Sequence, residues 1–198
     1  MNDQTTMRRT PKQARSQQRV NQILDTAAQI FADVGYETAT TNHIAERAGI
    51  PIGSLYQFFP NKESIFQALV ERYLESLRSV LTIDALDSVP FAHVIDDLVE
   101  SILAFDDKHI GFKVIFVQSH VETEVHEEIV MAVAAMLRQR FTTLSDERRM
   151  EIAVGGVGIV KGLMLVADYQ PINTSRMMKE ALVGYLREAL LKENITLR

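Results

Sequence analysis

The chain has 198 residues, of which 46% are hydrophobic, and it contains no cysteine. This composition is ordinary for a globular protein and excludes disordered and fibrous classes, while the lack of cysteine excludes disulfides and thiolate zinc sites. The net charge of −5 excludes a surface that is basic throughout, although residues 1–62 hold seven Lys and Arg against five Asp and Glu, and the rest hold 14 against 21.

The chain begins with a polar arm that continues into a basic stretch. No acidic residue interrupts this stretch between Asp3 and Asp25. A cluster of this kind attracts a phosphate backbone, although a solvated arm explains it equally well. Its positive side chains are Arg8, Arg9, Lys12, Arg15 and Arg19. Since the arm lacks the apolar core of a secretory signal, we expect a cytoplasmic protein.

The first predicted helix covers residues 15–36. Apolar residues such as Ile23, Ala27 and Phe31 recur there at spacings of three and four, which is typical of an amphipathic helix. Gly35 is a natural end for this helix, because glycine adopts the left-handed conformation that often closes a helix.

Residues 41–60 have the pattern of a helix-turn-helix. A short helix capped by Thr40 or Thr41 is followed by Gly49, which permits a sharp turn, and then by a second short helix over residues 52–59. The side chains expected to be buried between the helices are apolar or small: Ile44, Ala45, Ala48, Ile50, Leu55 and Phe58. DNA is therefore the first partner to consider.

A longer helix is predicted from Lys62 to about Leu81, with Asn61 as its cap. It begins beside the helix-turn-helix and ends among residues of a different character, so we expect it to connect two parts of the molecule. Further helical patterns cover 90–106, 111–119, 122–142, 146–169 and 174–193. No segment alternates as a strand, so the predicted fold is all-α.

The stretch TTNHIAERAGIPIGSLYQFFPNKESIFQAL, which begins at Thr40, resembles the amino-terminal domain of TetR/AcrR-type bacterial transcriptional regulators. The matching positions are Thr41, Ile44, Ala45, Ala48, Gly49, Gly53, Leu55, Tyr56, Phe58, Phe59, Lys62 and Glu63. The preceding helix fits as well, through Ala27, Ala28, Phe31, Gly35 and Tyr36. The resemblance implies that residues 1–62 form a three-helix DNA-binding domain, and residues 63–198 a helical domain for ligand binding and dimerisation.

Several side chains are candidates for contacts to a double-stranded DNA operator. Hydroxyl groups suit phosphate oxygens, glutamine pairs with adenine, and glycine allows close approach of the backbone. Ile52 departs from the family pattern, since it cannot donate a hydrogen bond to a base; it either touches a thymine methyl group or packs. The candidate contacts are Arg8, Arg9, Lys12, Arg15, Thr41, Ile52, Gly53, Ser54, Tyr56, Gln57 and Lys62.

The carboxy-terminal part offers a set of apolar residues with a few polar ones, which suits an apolar or amphipathic effector molecule. For each residue alone, a place in the ordinary core is the better explanation, and the pocket hypothesis depends on the family resemblance. The candidate ligand-binding residues are Phe105, Phe112, Phe116, His120, Met131, Met164 and Asp168.

The last two helices have more apolar surface than one neighbour requires. Glycines at three- and four-residue spacing allow close approach of another helix, and a two-fold interface of two helices from each chain would bury both. The resemblance also implies a homodimer. The candidate interface residues are Gly155, Gly158, Gly162, Met178, Leu182, Tyr185 and Ala189.

Enzymatic activity is the main competing class, and the sequence does not favour it. There is no HExxH motif, so we expect no metal and no other cofactor, and Lys161 stands where a dinucleotide loop requires its third glycine. The apolar run 152–167 is too short to cross a membrane comfortably.

From the helix-turn-helix and the family resemblance we expect a repressor released from a palindromic operator by a small molecule. The alternatives are an activator, or an architectural DNA binder without a ligand.

Overall fold

The computed structural model describes residues 14–81, 90–118, 124–167 and 173–195. Within these ranges all regular elements are helical, and the predicted all-α class is confirmed. The helices are α1 (Ala14–Thr38), α2 (Thr41–Arg47), α3 (Ile52–Tyr56), α4 (Lys62–Leu81), α5 (Phe91–Lys108), a π-helix (Val114–Gln118), α6 (Glu124–Arg140), α7 (Asp146–Ala167) and α8 (Thr174–Leu191). Among the predicted site residues, Arg8, Arg9, Lys12, His120 and Asp168 lie outside the described residues.

Helix α1 buries the stripe that its spacing predicts, with Ile23, Ala27 and Phe31 fully enclosed. The helical backbone is interrupted at Gly35, whose φ of 79° is unfavourable for a residue with a side chain. The stop predicted at Gly35 is therefore present, although helical structure resumes up to Thr38.

The helix-turn-helix is formed by α2, a turn at Gly49 and α3. Thr40 is the cap of α2, because its hydroxyl oxygen accepts a hydrogen bond from the His43 amide at 3.2 Å. Gly49 has a φ of 64°, as the sharp turn requires. Helix α3 ends at Tyr56, three residues earlier than the spacing of apolar residues predicts, and its Leu55 is completely buried.

Helix α4 starts with a reciprocal cap. The Asn61 side-chain oxygen accepts a hydrogen bond from the Ser64 amide at 2.8 Å, and the Ser64 hydroxyl oxygen accepts one from the Asn61 amide at 3.3 Å. Two backbone donors at the start of the helix are satisfied in this way. The predicted bounds of α4 and the role of Asn61 agree with the structure.

The chain divides into two compact units. The first contains Met1–Glu75 and His109–Ser119, and the second contains Ser76–Lys108 and His120–Arg198. The division falls within α4, whereas the domain boundary expected from the motif, between residues 62 and 63, stays a prediction. In the second unit, α7 packs against α6 and α8, and α8 also packs against α5.

Helix α7 of the second unit contains the apolar run 152–167. It begins six residues before the apolar run seen in the sequence, and by length and composition alone it could cross a membrane. One such helix is weak evidence, because a core helix of a globular protein passes the same test. Its first turn contains Asp146 and Glu147, and the Arg149 guanidinium bonds to Asp146 and to the Thr142 carbonyl.

Candidate nucleic-acid interface

The outward face of α3 carries the side chains that the sequence predicts for DNA contact. Leu55 anchors the helix on the inside, whereas Ile52 is 36% exposed and Tyr56 39% exposed. Gly53 and Gln57 are also exposed, and Ser54 is partly exposed. The structure therefore brings the predicted reading residues together on one surface of the first unit.

Two of these residues are hydrogen-bond donors or acceptors that have no partner within the described parts of the chain. Neither the Ser54 hydroxyl nor the Gln57 side-chain amide bonds to another group among the described residues. A β-carbon added at Gly53, the residue before Ser54, would meet no atom within 4 Å, so the space beside Gly53 is open. These side chains are available for the polar edges of bases or for phosphate oxygens.

Thr41 and Tyr56 form a hydroxyl pair at one side of this face. The Thr41 Oγ1 and Tyr56 Oη atoms are 3.0 Å apart, which is hydrogen-bond distance, and either can be the donor. The bond joins the start of α2 to the end of α3 and restricts the orientation of the tyrosine ring. One hydroxyl hydrogen of the pair remains free for an outside acceptor such as a phosphate oxygen.

Polar contacts that the sequence did not reveal hold the helix-turn-helix on α1. The Gln22 side chain donates a hydrogen bond of 2.7 Å to the Ala48 carbonyl, next to the turn glycine. Arg47 of α2 pairs with Asp33 of α1. The helix pattern places these polar side chains away from the apolar side of the helix. Only the tertiary fold shows which backbone or side-chain group each of them contacts.

The predicted phosphate contact Lys62 has partners within the protein. Its ammonium donates hydrogen bonds to the Tyr36 carbonyl at 2.7 Å and the Glu37 carbonyl at 3.2 Å, and lies 4.2 Å from the centre of the Tyr36 ring. A cation near the carboxyl end of a helix is favourable for its dipole. Lys62 thus connects the end of α1 to the start of α4, with one N–H left for DNA.

Tyr36, on which Lys62 rests, is itself a packing residue. Its ring centroid lies 5.4 Å from that of Phe31 and 4.8 Å from that of Phe66. Burial, reinforced by the negative charges of Glu63 and Glu37, raises the pKa of Tyr36 to about 12. The phenol is therefore neutral near pH 7.

We expect Lys62→Met to lower the free energy of unfolding by about 1 to 2 kcal/mol, because two hydrogen bonds and a cation–π contact are lost. Urea denaturation measures this change. Lys192→Met is the control, since Lys192 is exposed and, among the described residues, its ammonium pairs with Glu188 at 3.8 Å. Equal stability of the two variants would contradict the connecting role of Lys62.

The predicted ligand-binding residues that the structure describes are distributed over both units. Phe112 and Phe116 are buried in the first unit with stacked rings, 5.7 Å between centroids, while Phe105 and Met164 are buried in the second. Met131 does not line a site enclosed by this chain, since 58% of its side chain is exposed. The spacing of residues in α6 did not reveal which side of the helix is covered.

The predicted dimer residues also separate into two groups. Met178, Leu182 and Ala189 are buried within the chain and cannot present an apolar face to a partner. Gly155 lies directly beneath the Tyr185 hydroxyl of the same chain. Its small size therefore serves packing between α7 and α8, which corrects the expectation that all seven residues face a second copy.

The remaining predicted glycines, Gly158 and Gly162, are exposed, and an added β-carbon at either would meet nothing within 4 Å. They lie on the same side of α7 as two exposed apolar residues, Val154 (47%) and Leu165 (39%). An uncovered face of small and apolar residues is thus present on α7, although it is narrower than the sequence predicts.

Two family models match most of the chain. Bacterial regulatory proteins of the tetR family match residues 23–69, and the tetracyclin repressor-like C-terminal domain matches residues 90–186. The HTH-type transcriptional regulator UidR of Escherichia coli (strain K12) is 28% identical over 182 residues, which is 89% of this chain and 84% of UidR. The HTH-type transcriptional activator FasR of Mycolicibacterium smegmatis is 29% identical over 150 residues, 72% of this chain and 68% of FasR.

Solved structures agree with this relationship. The crystal structure of a TetR-family transcriptional regulator from Streptomyces coelicolor has a TM-score of 0.63 and 25% identity, and the match covers 86% of this chain and 99% of that one. The helix-turn-helix with its exposed polar face defines a DNA-binding transcriptional regulator. The chain belongs to the TetR family, whose members are regulatory DNA-binding proteins and not enzymes.

Proposed function

We propose that this regulator is a cytoplasmic homodimeric repressor that binds a palindromic operator and leaves it when a small apolar or amphipathic molecule binds. The observation that carries the proposal is the outward face of α3, where Ser54 and Gln57 have no partner among the described residues. Buried polar groups are almost always paired within a protein, whereas exposed polar side chains without a protein partner can bond to base edges.

The proposed operator contacts are of two kinds. Ile52, Gly53, Ser54 and Gln57 face the bases, and their differences in chemistry supply sequence preference. The others face phosphates and supply affinity that falls as salt concentration rises. The residues proposed to contact phosphates are Arg8, Arg9, Lys12, Arg15, Thr41, Tyr56 and Lys62.

We expect Gln57→Ala to relax base preference at one position of each half-site, at a cost of about 1 to 3 kcal/mol in operator affinity. Fluorescence anisotropy with single-position operator variants measures this change. Gln67→Ala is the matched control, since Gln67 lies on α4 and not on the reading face. An unchanged preference at every position would mean that Gln57 does not read a base.

The phosphate role of Lys62 has its own test. If its remaining N–H contacts DNA, Lys62→Met lowers the salt slope of operator binding by about 1 and weakens all sequences alike. A loss of stability with an unchanged slope would mean that Lys62 serves only the two carbonyls.

Dimerisation is proposed through the exposed face of α7, with Val154, Gly158, Gly162 and Leu165 at its centre. A symmetric pair of reading helices recognises two half-sites, whose separation is about 34–36 Å or a multiple of it. An effector that favours a dimer with another separation lowers operator affinity by the coupling free energy, about 1.4 kcal/mol for each tenfold change.

The effector is proposed to bind in the second unit. Phe105 and Met164 are the candidate residues there that the structure describes, and His120 and Asp168 are candidates from the sequence. Apolar walls with a few polar groups suit an apolar or amphipathic molecule. The family supports this part of the proposal, since its members combine operator binding with small-molecule effectors.

Selection of bound sequences from random DNA, repeated with a panel of apolar and amphipathic compounds, tests the proposal. We expect an enriched palindrome whose affinity falls in the presence of one class of compound. Absence of any enriched sequence would overturn operator binding. An enriched sequence unaffected by every compound would favour the architectural alternative.

An activator is the second candidate, because the relative FasR is named as a transcriptional activator. The position of the operator decides between the two roles. A site that overlaps the promoter implies repression, whereas a site upstream of it, with lower transcription when the protein is removed, implies activation.

A further inference from the structure

The reading face of α3 contains one side chain that cannot form hydrogen bonds. Ile52 is the first residue of the helix and is 36% exposed, while the next apolar residue, Leu55, is completely buried. Ile52 is therefore not simply part of the core of the helix-turn-helix. It presents a branched aliphatic group at the amino-terminal end of α3, which is the part of a recognition helix that contacts base edges.

The neighbours of Ile52 limit what this group can do. Pro51 precedes it with a φ of −59° and has no amide hydrogen to offer. Gly53 follows it with open space around its α-carbon. Tyr56 lies one helical turn further on and is bonded to Thr41 at 3.0 Å, so its hydroxyl is already held to one side.

In the major groove, thymine is distinguished by an apolar group that suits such a side chain. Each base presents hydrogen-bond donors or acceptors there, and only thymine adds a methyl group. An aliphatic side chain against a polar base edge leaves that edge unsatisfied, which is unfavourable. When the aliphatic side chain packs on a methyl group, apolar surface of both the side chain and the methyl group is removed from water, which is favourable.

We infer that Ile52 is a specificity-determining residue that packs on the 5-methyl group of a thymine in each half-site of the operator. The inference rests on the proposed function, because it requires that α3 lie in the major groove. Ile52 makes the methyl contact, and Ser54 and Gln57 make the hydrogen bonds to bases. The half-site then contains a thymine whose methyl group contributes to affinity.

Replacement of thymine by deoxyuridine tests this contact, because it removes only the methyl group. In the selected operator, each thymine is replaced in turn, in both half-sites together. We expect one position at which the wild-type protein loses about fourfold per half-site, the equivalent of about 0.8 kcal/mol for one buried methyl group. Ile52→Ala should bind the thymine and deoxyuridine operators equally.

Two further variants make the comparison specific. Ile52→Val retains a branched side chain and should retain most of the discrimination. Val34→Ala removes an exposed aliphatic side chain from α1, outside the reading face, and should discriminate as the wild type does. Anisotropy measured for each protein with both operators gives the ratio directly, so a small general loss of affinity cancels.

Several outcomes would overturn the inference. Equal binding of the wild type to all deoxyuridine operators would exclude a methyl contact, and a penalty that persists in Ile52→Ala would assign it to another residue. An operator with cytosine or 5-methylcytosine at the same position separates the two sources of a 5-methyl group. Tighter binding to 5-methylcytosine than to thymine would overturn the assignment to thymine. Failure of the selection itself would instead count against the proposed function.

Discussion

Gly158→Asp is expected to convert the proposed dimer into monomers and to abolish specific operator binding. Gly158 is exposed, and an added β-carbon meets nothing within 4 Å, so the aspartate fits the single chain without a clash. In a two-fold interface it would place two carboxylates between apolar surfaces. Burial of a charge costs several kcal/mol, and a cost of this size lowers dimer affinity roughly a hundredfold or more.

Sedimentation velocity at micromolar concentration measures the oligomeric state, and circular dichroism checks that each variant is folded. Gln139→Asp is the matched control, because it adds the same charge to an exposed position of α6, outside the proposed face. We expect this control to remain dimeric. A folded Gly158→Asp variant that sediments as a dimer would exclude this face of α7 as the interface.

Gly111→Ala is expected to lower the free energy of unfolding by about 2 to 5 kcal/mol, since backbone strain and overpacking act together. Gly111 has a φ of 86°, which residues with a side chain rarely adopt. A β-carbon there would also lie 2.8 Å from the carbonyl oxygen of Ala28 in α1. The backbone of α1 cannot move away easily, because its neighbours in that turn are buried.

The segment that contains Gly111 has other contacts that depend on this close approach. The Tyr73 hydroxyl donates a hydrogen bond to the Ile110 carbonyl, and the Tyr73 ring packs edge-on against Phe112 with 6.1 Å between centroids. Burial also raises the pKa of Tyr73. A displaced segment would weaken these contacts together, so the loss of stability should exceed that from one substitution on the surface.

Urea denaturation of Gly111→Ala can be compared with Gly184→Ala. Gly184 lies in α8, where an added β-carbon meets nothing within 4 Å and φ is not positive. Alanine is favoured over glycine inside a helix, so this control should be more stable by about 0.5 to 1 kcal/mol. Opposite signs for the two variants are expected. A Gly111→Ala protein as stable as the wild type would contradict the constraint at this position.

Much of the helix-turn-helix could be predicted because its determinants are local. The spacing of apolar residues indicates which side of a helix is buried, and Gly49 and Asn61 mark a turn and a cap within a few residues of their partners. Even here the sequence left two capping threonines open. The structure selects Thr40, since its hydroxyl reaches the His43 amide.

Long-range partners could not be predicted in the same way. Lys62 has the positive charge expected of a phosphate contact. Two backbone carbonyls at the end of α1 nevertheless accept hydrogen bonds from its ammonium, which has three N–H donors. The bond from Gln22 to the Ala48 carbonyl is similar, because 26 residues separate the two groups. The position of a polar residue in a helix pattern predicts that its side chain faces away from the core. It does not predict which group of another helix the side chain contacts.

The helical class and the position of the helix-turn-helix could be predicted from the sequence, because helix periodicity, caps and turns depend on residues close together in the chain. The family was indicated by the resemblance of the stretch that begins at Thr40. Which apolar residues of α7 and α8 stay exposed could be seen only in the folded chain. Helix α7 is apolar on nearly all sides, so its periodicity does not select a face. Packing of α8 covers Gly155 and leaves Gly158 exposed, and that choice depends on contacts between residues far apart in the sequence.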